Sequence, residues 1–399
     1  MRLKMDEIIQ TISQHIQRMY LGSDKMPGRK KNVISKASPH TIKKFELIEE
    51  YIKSWAQKLL LNGSCNGLIF IDCMCNSGIY TDDAGQPVKG TVVRVSEALR
   101  EAARTYTDKN IYIYLNDKDK AKVNELKKHL PEDERNFKIV TSHSDAHDLL
   151  RTIGPQLYGT GYLHYFLLYD PYDANIDWEA LLPFFRNWGE VMINHMVSDP
   201  VRAITRAKKK TTKAKYENTY LEDFEKLVPY GSDKEAYEAR VEEIINSLKG
   251  SRRYYVSAFP FYNTQNSLVY NLIHCTSNKE GFKLYKKSAW KVFGAQSSTK
   301  HSVESSQLRF DFWGKISEEE DETCLHILDI AKYLQRSFKG RKQVPLDELW
   351  ELLENHPIFP SEGFRNEVKS ELTSFFNAKI EQIVNPDTGK KETVISFPL

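Results

Sequence analysis

The chain has 399 residues, of which 40% are hydrophobic, 12% aromatic and 28% charged, a globular balance that excludes a wholly disordered or fibrous protein. The 57 Lys and Arg against 54 Asp and Glu leave a net charge of only +3, which excludes a uniformly basic nucleic-acid coat and shifts attention to how charge is distributed. No window approaches the roughly 18 consecutive apolar residues of a membrane span and the N-terminus lacks an apolar leader core, so a cytoplasmic location is expected. Cys65, Cys73, Cys75, Cys275 and Cys324 are odd in number and scattered, as reduced thiols are, and no second Cys or His pair stands near Cys73 and Cys75 to complete a metal site.

In chain order, residues 1–40 read as an N-terminal helix (Ile8, Ile9, Ile12, Ile16, Met19) and a basic loop from Leu21 to Lys36. From Pro39 a long helix is predicted, with Phe45, Leu47, Ile48, Tyr51, Ile52 and Trp55 on its apolar face. Strands and helices then alternate: Leu68–Ile71 and Thr91–Arg104, Ile111–Leu115 and Lys118–His129, Phe137–Val140 and Ala146–Ile153, Tyr165–Tyr169 and Trp178–Trp188, then Glu190–Asn194. Short apolar strands in this rhythm predict an α/β, doubly wound, mostly parallel sheet. A hairpin at 253–259 and 267–276 brings the count to seven, that of a class I methyltransferase-like, Rossmann-like sheet, in a domain spanning 41–314.

A charged insertion occupies 199–250. Residues 202–215 carry seven bases and no acid, and 217–243 carry nine acids and three bases. Arg206, Lys208, Lys209, Lys210 and Lys213 either meet the phosphates of a nucleic acid or are a solvated excursion paired with the acidic helix that follows. The acidic run Ser317–Glu322 marks a boundary. Beyond it, helices at 323–338, 346–354 and 362–378 and a hairpin around Asn385-Pro-Asp-Thr-Gly389 outline a winged helix-turn-helix domain at 323–399. In its third helix Phe364, Val368, Leu372, Phe375 and Phe376 are expected to face the core, leaving Arg365 and Lys369 outward for a nucleic acid and Lys390 and Lys391 on the wing.

The candidate chemistry lies at strand ends. Leu68-Ile-Phe-Ile-Asp72-Cys73-Met-Cys-Asn-Ser-Gly78 is a strand and turn of the kind that approaches a nucleotide cofactor, with Asp72 at the strand end. Asp117 or Asp119 after the second strand either accepts from ribose hydroxyls or caps the next helix, and Asp145 after the third either contacts an adenine amino group or caps. Asp170-Pro171-Tyr172 after the fourth strand has the acid, proline and aromatic of Asp-Pro-Pro-Tyr amino-methyltransferases, in which the acid orients a target amine and the aromatic stacks on its base. The other reading is a strand ended by proline before a helix capped by Asp173 or Asp177.

Phe70-Ile-Asp72, Gly78-Ile-Tyr80, Lys89-Gly90-Thr91, Tyr169-Asp170-Pro171-Tyr172 with Ile176-Asp177-Trp178, Tyr270-Asn-Leu-Ile-His-Cys-Thr and Trp290 together resemble the three-Cys-motif partner (TcmP) family over residues 40–310. The helix containing Lys43, Leu47, Tyr51 and Trp55 fits the segment that precedes that family's sheet. The resemblance implies a class I methyltransferase-like fold and a radical-SAM-like partner with a three-cysteine motif; S-adenosylmethionine (SAM) is a possible cofactor of such a sheet. Where the family usually has Asp-Gly-Phe-Ala-Gly-Pro-Gly, this chain replaces two glycines by Cys73 and Asn76. One expectation is therefore a SAM-dependent nucleic-acid methyltransferase. The others are a non-catalytic nucleic-acid-binding or scaffold subunit, and a sheet that handles another nucleotide-linked group.

Overall fold

A computed structural model describes residues 33–157, 163–185, 189–250, 254–300, 323–384 and 389–399. The predicted N-terminal helix, the acidic run at 317–322 and the turn at 385–388 lie outside them. In chain order the first elements are β1 (Ser35–Lys36), α1 (Pro39–Leu60), β2 (Gly67–Asp72), β3 (Ile79–Thr81), β4 (Pro87–Lys89), α2 (Thr91–Thr105), β5 (Asn110–Asn116), α3 (Lys120–Leu126), β6 (Phe137–Ser142) and α4 (Ala146–Gln156). Next come β7 (Leu163–Tyr169), α5 (Trp178–Leu181), β8 (Gly189–His195), α6 (Ser198–Ala203), α7 (Lys210–Tyr220), α8 (Phe224–Leu227), α9 (Lys234–Lys249), β9 (Tyr255–Tyr262), β10 (Leu268–Thr276) and α10 (Lys279–Phe293).

The large sheet has the order β6-β5-β2-β7-β8-β10-β9. Neighbours from β6 to β8 are parallel, and β10 runs against both β8 and β9. The chain winds outward from β2 to β6 and then restarts on the other side of β2 with β7, so the switch point lies between the carboxyl ends of β2 and β7. Every residue of β2 is buried, because both faces of the sheet are covered. Leu68 and Phe70 pack with Tyr51, Trp55, Tyr285 and Trp290 on one side, and Ile69 and Ile71 with Trp178, Tyr216, Tyr220 and Tyr237 on the other.

The segment between β2 and α2 supplies β3 and β4, which with β1 from ahead of α1 form a small sheet of order β1-β3-β4 that the sequence did not signal. The helix expected at Lys118–His129 is shorter, because Asp119 caps it with a bond from Ala121 N.

The C-terminal residues form α11 (Ile327–Phe338), β11 (Val344–Pro345), α12 (Leu346–Asn355), α13 (Arg365–Ser374), β12 (Lys379–Val384) and β13 (Lys391–Ser396), with a sheet of order β11-β13-β12. Val368 and Leu372 are buried as expected, but Phe375 is 61% exposed because α13 ends at Ser374 and the ring lies beyond its last turn. This unit docks on α10. Lys286 Nζ donates to the carbonyls of Leu353, Glu354 and His356 (2.9, 3.1 and 2.6 Å) at the end of α12, and Trp290 Nε1 donates to Ile358 O. Among the described residues no helix is long and apolar enough to cross a membrane.

Candidate functional site

Parallel pairing sets Asp72 level with Leu168, so Asp170 stands two residues beyond it on the neighbouring strand, across the switch point. Asp170 is held from two sides. Lys44 Nζ donates to one carboxylate oxygen at 2.6 Å, and Asn194 Nδ2, at the end of β8, donates to the other at 2.6 Å. Lys44 comes from the buried face of α1, and its ammonium also lies 5.2 Å from the centre of the Tyr270 ring. Pro171 is buried. Tyr172, next to it, is 95% exposed.

Asp72 is buried, with one oxygen accepting from Met74 N at 2.9 Å. Burial pushes its carboxyl up to about 8, with Asp170 and Asp117 adding to the rise and the Met74 bond and Lys44 opposing it. Burial, Asp170 and Asp72 likewise hold the Tyr80 phenol protonated.

The turn after β2 keeps the shape glycines would give it by other means. Asn76 takes φ 58, a conformation Asn tolerates, and Gly78 takes φ 73. A Cβ at Gly78 would stand 2.4 Å from Leu126 Cδ1 and 2.9 Å from Val93 Cγ2, so this glycine serves the close packing of α2 and α3 on the turn. Cys73 and Cys75 are buried in the cores on opposite faces of the sheet. Burial pushes both thiols well up. Cys73 therefore fills core.

Asp117 secures the turn. Its carboxylate accepts from Asn76 N (3.0 Å) and from Asp119 N (2.8 Å), one bond on each oxygen, which leaves lone pairs on both. Buried Asn116 ties three strand ends together, donating to the carbonyls of Cys73 and Ser144 and accepting from Ser142 and Ser144. Asp145 caps α4 by accepting from His147 N and pairs with Lys118 at 3.0 Å. Asp177, rather than Asp173, caps α5.

Arg206, Lys208, Lys209 and Lys210 are exposed, and their side chains form no hydrogen bond or ion pair among the described residues. Lys213 pairs with Glu225 at 3.3 Å and lies over the Phe224 ring, so one base of the arm does meet the acidic segment. In the C-terminal unit Arg365 donates to Ser361 O and stacks on Trp350, Lys369 is half-buried, and Lys390 and Lys391 are exposed. The structure thus brings Asp72, Asp117 and Asp170 to one sheet edge and places the second group of bases on a separate unit.

Sequence reasoning gave no role to Lys44, Asn194, Asn116 or Tyr270. Lys44 carried a signal, since it falls on the apolar stripe with Ile48, Tyr51 and Trp55, where a charge needs a partner. Lys43, singled out instead, is exposed and pairs with Glu46. A cavity of about 600 Å³ lined by His40, Asp82, Tyr262, Phe293 and Lys300 adjoins this region, with Tyr270 Oη donating to His40 O.

No protein-family model matches the sequence, and no curated protein does. Among solved structures the chain is similar to a Streptococcus mutans protein provisionally assigned as a SAM-dependent methyltransferase, at 10% identity and a TM-score of 0.26, over 56% of this chain and 47% of that one. It thus spans less than half of that protein's length. It is also similar to loganic acid methyltransferase with SAH (11% identity, TM-score 0.30, 68% of this chain and 88% of that). A third is a Klebsiella pneumoniae protein provisionally assigned as an O-methyltransferase (8%, 0.29, 67% and 88%). Overlaps this small only describe. The seven-stranded order with its one reversed strand, β10, gives this part of the chain the methyltransferase-like sheet expected from the sequence.

Proposed function

We propose that this chain binds SAM at the switch point and acts on, or binds, nucleic acid together with a three-Cys-motif, radical-SAM-like partner. The observation that carries the reading is the convergence of Asp72, Asp117 and Asp170 at the carboxyl ends of adjacent strands, with Lys44 the cation bonded to Asp170. This set suits a ligand that brings positive charge and ribose hydroxyls. Asp117 would take the hydroxyls on its remaining lone pairs, and Asp145 would face the adenine end. Asp72, raised by burial, would regain its charge beside a ligand ammonium or sulfonium. Bound there, SAM supplies a transferable methyl group. Asp170, fixed by Lys44 and Asn194, would orient the acceptor, and the exposed bases of the arm supply sequence-independent attraction to a polyanion. Reading the C-terminal three helices and sheet as a winged helix adds a second candidate nucleic-acid surface.

Calorimetry with SAM tests this. Wild type should bind, and Asp117→Ala should weaken binding by about tenfold or more, because bonds to a charged acceptor are lost. Absence of heat from the wild-type chain refutes it. A non-catalytic, scaffold reading is favoured by one observation: Asp170 is already ion-paired with Lys44 at 2.6 Å, so its charge is offset before any substrate amine arrives. SAM binding without methyl incorporation into any nucleic acid would select that reading.

A further inference from the structure

The loop that carries Tyr172 and α7, the helix that holds the second half of the basic arm, are strapped together. Asp173, the next residue, accepts from Lys215 Nζ at 3.3 Å, and Asp199 accepts from Lys215 Nζ, Tyr216 Oη and Ala174 N. Thr219 Oγ1 donates to Ala174 O at 2.6 Å, and Trp178 Nε1 donates to Thr219 O at 2.7 Å. These bonds fix the middle of α7 against residues 173–178. Lys210 opens that helix five residues before Lys215, about 7.5 Å along its axis.

Two features of this assembly lack a reason within the fold. Tyr172 is a large aromatic ring at 95% exposure on a loop whose next two residues, Asp173 and Ala174, are bonded to Lys215 and Asp199. Lys208, Lys209 and Lys210 stand at the positive end of the α7 dipole, with no acid in the first turn and no side-chain cap, an arrangement that costs stability until an anion arrives. An exposed flat ring and a cluster of unpaired cations, on two segments tied to each other through Lys215, are the two features that hold a single nucleic-acid strand: an unstacked base lies on the ring while phosphates meet the lysines. A duplex keeps its bases in the stack and leaves such a ring without a partner.

We infer that Tyr172 and the Lys208–Lys210 cluster form one binding surface for single-stranded nucleic acid. This rests on the nucleic-acid part of the function proposed above, but not on SAM. Fluorescence anisotropy with the full chain, using a labelled single-stranded oligoribonucleotide, the same sequence as single-stranded DNA, and the DNA duplex, tests it. Both single strands should bind more tightly than the duplex, and the ratio between them tells RNA from DNA. Tyr172→Ala should weaken single-strand binding by about tenfold while Tyr172→Trp retains it; the ring is exposed, so neither change disturbs folding. Changing Lys208, Lys209 and Lys210 to Ala should lower the slope of log K against log salt by about 2, roughly 0.7 per phosphate contact on a single strand. Duplex binding equal to single-strand binding, or Tyr172→Ala binding like wild type, overturns the inference and leaves the nucleic-acid reading standing. No binding of any oligonucleotide overturns both.

Discussion

Asp72→Asn isolates the electrostatics of the site. In the folded chain burial holds the Asp72 carboxyl at about 8, against 3.8 in its ordinary state, so between these values the native protein keeps a proton that the unfolded chain has released. The native state binds more protons, and its stability falls as pH rises from about 4 to about 8, by up to roughly 1.36 kcal/mol per pH unit and at most about 6 kcal/mol in total. Asn has the shape of the protonated acid, can still accept from Met74 N, and does not titrate. Urea unfolding of both proteins from pH 5.5 to 8 should therefore show Asp72→Asn gaining about 3 kcal/mol on wild type, a midpoint difference on the order of 1 M that flattens above pH 8. Groups common to both proteins cancel in the difference. Parallel pH profiles would refute the buried, protonated carboxyl, and with it the expectation that a cationic ligand at this site releases a proton on binding.

Two other perturbations probe the frame around the site. Gly78→Ala should destabilise by about 2–4 kcal/mol in thermal or urea unfolding, since it places a Cβ at positive φ against Leu126 and Val93; a loss below about 0.5 kcal/mol would show that the turn yields easily. Lys286→Met should leave the carbonyls of Leu353, buried, and of Glu354 and His356, partly buried, without their donor and cost about 3 kcal/mol, seen as faster hydrogen exchange across 346–362 ahead of the large sheet; unchanged exchange there would show that Trp290 and the surrounding apolar contacts suffice.

Much of the fold was legible because strand and helix periodicities are local. β2, β5, β6, β7 and β8 fall within a few residues of their predicted runs, and the turn between β9 and β10 was marked by Asn263 and Asn266, whereas Pro260, which also reads as part of the break, lies inside β9. The acids at strand ends were legible for the same reason, since a parallel sheet delivers them to one edge once its order is known. The cap role of Asp145 was visible as one of two readings and is seen in the bond to His147 N, as is that of Asp119 to Ala121 N. The two-residue and three-residue strands β1, β3 and β4 were not legible, since runs so short carry no periodicity.

By itself, then, the sequence determined the alternating α/β sheet, the acidic strand ends and the segregation of charge between 202–215 and 217–243, all of which depend on residues close together in the chain. Only the tertiary structure decided which charges neutralise one another. Lys44 reaches Asp170 across 126 positions, and Lys286 reaches the end of α12 across 67–70. Lys215 binds the Tyr172 loop while Lys208, Lys209 and Lys210 stay open to solvent. Ion pairing depends on distance in space and on burial, and neither is written in local spacing.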